Sequence, residues 1–160
     1  MRPEHSPDRQ RGVSLLESLL AILIFSIGIL AIVSLQATSV KTTTDAKLRA
    51  DASFYASQIV ALMWADAANI NAYALNAGGA PCGPGGNASG NANVSNWINQ
   101  LNVANNPNGL PGAMALAQQI NVVATADPLV QDVAVTVCWS SGTETRRFTL
   151  NTTVGRDREI

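Results

Sequence analysis

The 160-residue chain is 47% apolar, 13% charged and 5% aromatic, which suffices for one domain with a modest core but not for two. Its formal charge of −1 argues against coating nucleic acid or anionic lipid through bulk charge, and leaves only a local basic patch open. The one histidine, His5, lies in a polar leader that we expect to be removed, so the remaining chain has no imidazole for a catalytic triad or a zinc site.

The N-terminal stretch changes abruptly from polar to apolar. Residues 1–12 include arginines just before an apolar run from Val13 to Leu35. The charge-free part of this run can nearly cross a hydrocarbon layer of roughly 30 Å at about 1.5 Å per helical residue. Arginines before the run, with no comparable cluster just after it, orient the leader to the cytoplasm and the rest outward. The sequence therefore predicts a membrane helix with an extracytoplasmic domain, while the Ser34–Ala37 segment matches a secretory cleavage site only weakly.

One acid, Glu17, interrupts the apolar run. An ionised carboxylate in a membrane helix costs on the order of 2 to 3 kcal/mol or more unless it finds a partner. If the chain is cut after Gly12, the new amine of Val13 lies one helical turn away and can neutralise Glu17, in the same subunit or in a neighbouring one. The alternative is an acid that snorkels to the membrane edge.

The segment RGVSLLE, followed by an apolar run, resembles the prepilin signal of the type IV pilin family. The resemblance implies cleavage between Gly12 and Val13 by the inner-membrane prepilin peptidase, N-methylation of Val13, and retention of the apolar segment as an assembly helix. It also implies that Glu17 pairs with the N-terminal amine of an adjacent subunit. The chain departs from the family pattern at Val13, where Phe is most frequent, and at Ser14, where Thr is commoner.

Within that family, the apolar segment with its SIG and LQ residues is similar to minor pilins of the PilV type. The stretches VAVTVCW and RRFTL are similar to the C-terminal end of the same chains. The partners implied are other major and minor pilins, the prepilin peptidase, the inner-membrane pilus assembly platform and, before assembly, membrane lipid. The implied location is the inner membrane with a periplasmic head, and then a surface fibre.

A single helix is predicted to continue far beyond the membrane segment. No proline occurs between Pro7 and Pro81, and Gly28 is the only glycine between Val13 and Asn76, so one helix can run from Val13 to about Ala68. Beyond the apolar run, mostly apolar residues spaced by four and three positions predict a seam on the helix that packs against a globular head. The residues of this seam are Leu48, Ala52, Tyr55, Ile59, Leu62 and Asp66. A coiled-coil stalk has the same spacing and is the alternative.

The remaining chain reads as a loop, a short helix and a sheet. Residues 76–93 are rich in Gly, Asn and Pro, which predicts a loop. Apolar residues at helical spacing between Val94 and Leu101 predict a short helix, and Ser95 is its candidate N-cap. Apolar and polar residues alternate over 132–139 and 148–154, which predicts an antiparallel hairpin, with an earlier strand inside 113–126.

The predicted fold class is therefore α+β and pilin-like, with a long N-terminal helix packed on a small antiparallel β-sheet. The predicted divisions are a leader over 1–12, a transmembrane and assembly helix over 13–36, its amphipathic continuation over 37–75, a loop with a short helix over 76–112, and the sheet over 113–160.

The two cysteines, Cys82 and Cys138, cannot alone form a four-thiolate metal site, and in an oxidising compartment they are most simply a disulfide. Two buried free thiols are the alternative. We expect no metal and no cofactor.

Three functions remain in view: a minor pilin, a minor pseudopilin of a type II secretion system, and a pilus-tip module that binds DNA or a surface. For DNA or another anion the candidate patch is Arg146 and Arg147. Because adjacent residues of a strand point to opposite faces, only one of the two arginines can lie on a given face. Solvated strand arginines are the simpler interpretation, so nucleic acid is not an expected partner. An enzyme is not expected either, because the sequence offers no evident general base.

Overall fold

The computed structural model describes residues 11–83, 86–113 and 117–155. The residues of the predicted leader before Arg11 lie outside this range. The elements in chain order are α1 (Arg11–Ala65), a 3-10 helix (Ala67–Tyr73), α2 (Ala92–Leu101), β1 (Gln119–Ala124), β2 (Val130–Ser141) and β3 (Glu144–Gly155). Two compact units meet within α1: one ends at Thr44, and the other, which we call the head, begins at Asp45.

The first unit consists of the N-terminal part of α1, which is unbroken at Gly28 and through the run of three threonines from Thr42 to Thr44. Hydroxyl groups along this stretch donate to the carbonyl oxygen one turn earlier. The Ser18 hydroxyl donates to the Ser14 carbonyl at 2.9 Å, and the Ser26 hydroxyl donates to the carbonyl four residues before it at 2.7 Å. The three threonines make the same bond, each at 2.9 Å. These bonds give the hydroxyls a partner within the helix and let low-propensity residues continue it.

In the head, one face of α1 packs into the core. Its buried residues are Ala52, Tyr55, Ala56, Ile59, Val60 and Met63. The predicted seam is correct at its first four positions, since Leu48 is half-buried against the same core. It is wrong at Leu62, which is 37% exposed, whereas Met63 is fully buried. A seam drawn with a strict 3.5-residue period drifts by about 20° per heptad relative to a straight helix, so the buried stripe moves one residue onward.

α1 ends at Ala65, three residues before the predicted end, and the chain continues as the 3-10 helix. Asp66 begins this change: its amide bonds to both Leu62 and Met63 carbonyls, at 3.1 and 3.3 Å. Its carboxylate accepts from the Asn69 side chain at 2.7 Å, and Asn69 has non-helical backbone angles. Short polar side chains that bond locally in this way compete with the α-helical ladder.

α2 begins two residues earlier than predicted and with a different cap. The N-cap is Asn91, whose side chain accepts from the Asn93 amide at 2.8 Å, and Ser95 lies within the helix. The Ser95 hydroxyl donates to the Asn91 carbonyl at 3.3 Å. Asn is as good an N-cap as Ser, so composition alone does not choose between them. The inner face of α2 buries Trp97, whose indole N–H donates to the Tyr55 carbonyl of α1 at 2.9 Å.

The sheet has three antiparallel strands in the order β1-β2-β3. β2 and β3 form a hairpin in which Ser141 pairs with Glu144 across a two-residue loop. Gly142 occupies the first loop position with φ +62°, a conformation that favours glycine. Ser140 and Ser141 are the last residues of β2. At the opposite edge, Leu75 forms a bridge to Ile120 of β1.

Both faces of the sheet are covered near the middle of β2. Toward the helices it buries Val133, Val135, Val137 and Trp139, as the alternation predicts. On the opposite face Thr136 and Cys138 are buried too. Farther along that face Val123 is 59% exposed and Asp132 is also exposed. The molecule is thus a pilin-like α+β protein, a long helix followed by a small antiparallel sheet, and the predicted fold class is confirmed.

The phenol of Tyr55 ties α1 to the loop after α2. It donates to the Asn108 carbonyl at 3.2 Å and accepts from the Asn106 side chain at 2.8 Å. Burial raises the pKa of Tyr55 above its usual 10.0, the Asn106 hydrogen bond lowers it, and the charge of Asp51 raises it, with a net upward shift. The folded head therefore favours the neutral phenol.

This raised pKa predicts an alkaline loss of stability that Tyr55→Phe removes. The stabilisation is complete below the unfolded pKa of 10.0 and is lost as the pH rises toward the higher folded pKa, because the unfolded phenol ionises first. Denaturant unfolding of the wild type and of Tyr55→Phe, measured at pH 8 and at about pH 11, should show the stability difference between them shrinking at the higher pH. A difference that stays constant would contradict the assignment.

Candidate functional site

The predicted processing and assembly residues lie at the beginning of α1. The helix starts at Arg11, so the backbone on both sides of the Gly12–Val13 bond lies in its first turn. Glu17 follows one turn after Val13 and is exposed. Among the described residues, no hydrogen bond or ion pair involves the Glu17 carboxylate. The described side chains therefore leave the carboxylate without a counter-charge.

The helix around Glu17 is apolar on all sides. Every side chain from Ser14 to Val40 is exposed, including Leu16 and Leu30 at 69% each. Contiguous exposed apolar surface on this scale indicates contact with lipid or with other proteins. Within the described part of the chain, the one helix long and apolar enough to cross a membrane, by length and composition, runs over Ser14–Ala65.

The Gly- and Asn-rich loop is attached to the sheet by a Cys82–Cys138 disulfide. Cys138 is a buried residue of β2, and Cys82 has a left-handed φ of +63°. The ends of the loop also come close together: the Asn76 amide donates to the Asn87 carbonyl at 2.6 Å. A Cβ atom on Gly86 would lie 2.4 Å from the Asn76 Cα, so this position requires glycine.

Two buried glutamines fix the same region. The Gln118 side-chain oxygen accepts from the Cys138 amide at 2.7 Å, and its nitrogen donates to the Cys138 carbonyl at 3.0 Å and to the Ala113 carbonyl at 2.9 Å. The side-chain amide thus occupies the place of a neighbouring peptide where β1 has not yet begun. Gln119 donates to the Asn76 and Gly79 carbonyls at 3.0 and 2.8 Å. Nothing in the sequence analysis had singled out these residues, although adjacent glutamines before an apolar strand are a visible signal.

The two arginines of the candidate anion patch lie on β3. Arg146 pairs with Trp139 across the hairpin, and Arg147 pairs with Cys138. Both arginines are exposed. Arg146 makes a salt bridge of 2.6 Å with Glu144. An exposed pair of this kind contributes about 1 kcal/mol at most.

The described residues contain no group of three or more His, Cys, Asp or Glu side chains that could hold a metal ion.

The comparison with known proteins found a match at the N-terminus of the chain. Residues 7–33 match the family model described as the prokaryotic N-terminal methylation motif. No curated protein and no solved structure matches the chain. The N-terminal segment therefore carries a type IV pilin-like prepilin signal, and this signal together with the long apolar helix fits a type IV pilin-like protein. Such a signal indicates a structural subunit rather than an enzyme.

The disulfide predicts a large share of the stability of the head. A crosslink between residues separated by 56 positions removes about 4 kcal/mol of conformational freedom from the unfolded chain in the entropy model. The double variant Cys82→Ala, Cys138→Ala should lose stability of this order in denaturant unfolding of the full chain in detergent. Adding dithiothreitol should destabilise the wild type and leave the double variant unchanged. A loss below about 1 kcal/mol would contradict this contribution.

The hydrogen bonds of Gln118 predict a second loss of stability, independent of the disulfide. Gln118→Ala leaves the buried amide and carbonyl of Cys138 without these partners, at a cost of about 2 to 4 kcal/mol. The matched control is Asn96→Ala, which removes an exposed amide of α2 and should change stability by less than about 0.5 kcal/mol. The measurement is denaturant unfolding of the oxidised chain, with the disulfide verified by mass. Equal effects of the two variants would show that Gln118 does not anchor β2.

Proposed function

We propose that this chain is a minor pilin, which enters a type IV pilus or the small complex that primes it by burying the apolar part of α1 among the helices of other subunits. The observation that carries the proposal is a prepilin-type signal at the start of a helix whose described side chains are all exposed up to Val40. The resemblance to PilV-type chains supports a minor subunit rather than the major one.

Processing comes first in this proposal. The prepilin peptidase cuts the Gly12–Val13 bond, removes the polar leader 1–12, and leaves a chain whose new amine carries one positive charge. N-methylation of Val13 preserves that charge. Residues 13–36 then form a membrane and assembly helix, and the head lies in the periplasm until the subunit leaves the membrane.

Assembly follows from the uncompensated charge of Glu17. A carboxylate in an apolar surrounding is stabilised by about 2 to 3 kcal/mol or more when it gains a counter-charge. The amine of Val13 in an adjacent subunit supplies that charge and is neutralised in turn. The pairing therefore favours a defined axial position of one helix beside the next, whereas apolar contacts alone allow the helices to slide.

The proposed partners are other major and minor pilins, the prepilin peptidase and the inner-membrane assembly platform, with membrane lipid around the helix before assembly. A minor pseudopilin of a type II secretion system has the same signal and helix, so the two are separated by the fibre in which the chain is found.

The test is to recover the chain from sheared surface fibres and to determine its intact mass and N-terminal sequence, with a strain lacking the prepilin peptidase as control. We expect a chain that starts at Val13 and is present in the fibres only when the peptidase is active. An uncut chain retained in the membrane, or one cut near Ala37 and released, would contradict the proposal. A processed chain that depends on a type II secretion system instead of a pilus would assign it to the pseudopilins.

The same assay tests the role of Glu17. Glu17→Gln should be processed normally but fall at least about tenfold in the fibre fraction, because it lacks the charge that pairs with the neighbouring amine. Glu144→Gln, the same change at an exposed position of the head, is the matched control and should assemble like the wild type. Normal incorporation of Glu17→Gln would remove Glu17 from the assembly mechanism.

A further inference from the structure

A small cavity lies in the head between α1 and the β2–β3 hairpin. It is lined by Asp45, Arg49, Trp139, Arg146 and Arg147 and has a volume of about 240 Å³. Pockets for drug-sized ligands typically begin at about 300 Å³, so this one suits a small ion or the charged end of a larger molecule. Three of its five lining residues are arginines, contributed by a helix and a strand.

The charges around the cavity are only partly compensated. Arg146 is paired with Glu144. Asp45 accepts a hydrogen bond from the Ser141 hydroxyl at 2.5 Å. Among the described residues, no ion pair involves Arg49 or Arg147. The lining therefore retains an excess of positive charge and has guanidinium groups available to an anion.

The indole of Trp139 provides an independent observation. The side chain is 4% exposed, yet its Nε1–H has no hydrogen-bond acceptor in the described structure. The other buried tryptophan, Trp97, donates to the Tyr55 carbonyl at 2.9 Å, which is the usual behaviour. A buried donor left without an acceptor costs about 1 to 3 kcal/mol. Because Trp139 lines the cavity, a molecule bound there would change the surroundings of this unpaired donor.

We propose that this cavity is an oxyanion site that takes a phosphate group, either as the free ion or as the end of a phosphomonoester. The guanidinium donors come from two elements: Arg49 from α1 and the arginines from β3. A tetrahedral phosphate presents oxygens in several directions and can engage both elements, whereas the two coplanar oxygens of a carboxylate match a single guanidinium fork. The carboxylate of Asp45 opposes the anion and sets a limit on its affinity.

The test follows the indole N–H resonance of Trp139 in the ¹⁵N-labelled full chain in dodecyl maltoside, assigned with Trp139→Phe. Inorganic phosphate is titrated against sodium chloride at equal ionic strength, and a second arm uses glycerol 3-phosphate. We expect a saturable shift of this resonance with phosphate that chloride does not produce. Tighter binding of glycerol 3-phosphate would assign the site to an esterified headgroup, and tighter binding of phosphate to the free ion. Absence of a saturable shift in both arms would overturn the proposal.

Charge variants separate a built site from general attraction. Arg49→Gln should weaken the apparent Kd about tenfold or more, because it removes a charge-assisted hydrogen bond. Lys47→Gln removes the same charge two residues away on α1, outside the cavity lining, and should change the Kd by less than about twofold. Asp45→Asn should tighten binding. Equal weakening by Arg49→Gln and Lys47→Gln would show that the anion responds only to net charge.

Discussion

The exposed apolar surface of α1 is the constraint on which the rest of the molecule depends. Each large aliphatic side chain that is fully buried contributes about 1.5 to 3 kcal/mol, and from Ser14 to Val40 the described chain buries none. The core of the head is a separate set of residues, from the later part of α1, α2 and the sheet. The exposed apolar surface on which the proposed insertion and assembly depend therefore lies in one stretch of α1.

The head holds in place a segment with little intrinsic preference for regular structure. The loop after the 3-10 helix is rich in residues that favour neither helix nor strand. It is fixed by a covalent link to β2, by the amide groups of Gln118 and Gln119, and by the close approach of Gly86 to Asn76. These contacts cover one face of β2 while the helices cover the other.

Much of this architecture was predictable because it follows from periodicity. The buried stripe of α1 and the β2–β3 hairpin with its buried valines follow repeats of about 3.6 and 2 residues, whereas the length of α1 follows from a stretch without proline. The two errors have different causes. Leu62 was expected in place of Met63 because a strict 3.5-residue period drifts on a straight helix, and Ser95 was expected in place of Asn91 because composition does not distinguish the two as caps. The Gln118 anchor was not predictable, because it requires knowing where β1 begins relative to β2. Similarly, the sequence identified Arg146 and Arg147, but only the fold brings Arg49 and Trp139 beside them.

The hydroxyl groups of the apolar part of α1 have a consequence for how such a helix changes surroundings. Ser18 and Ser26 already donate to carbonyls of their own helix. A helix that leaves lipid for a bundle of other helices therefore has no need to exchange hydrogen bonds at these two positions. The barrier to the transfer then comes from displacing lipid chains and from carrying the carboxylate of Glu17. Such a helix can move from one apolar environment to another with its internal hydrogen bonds unchanged.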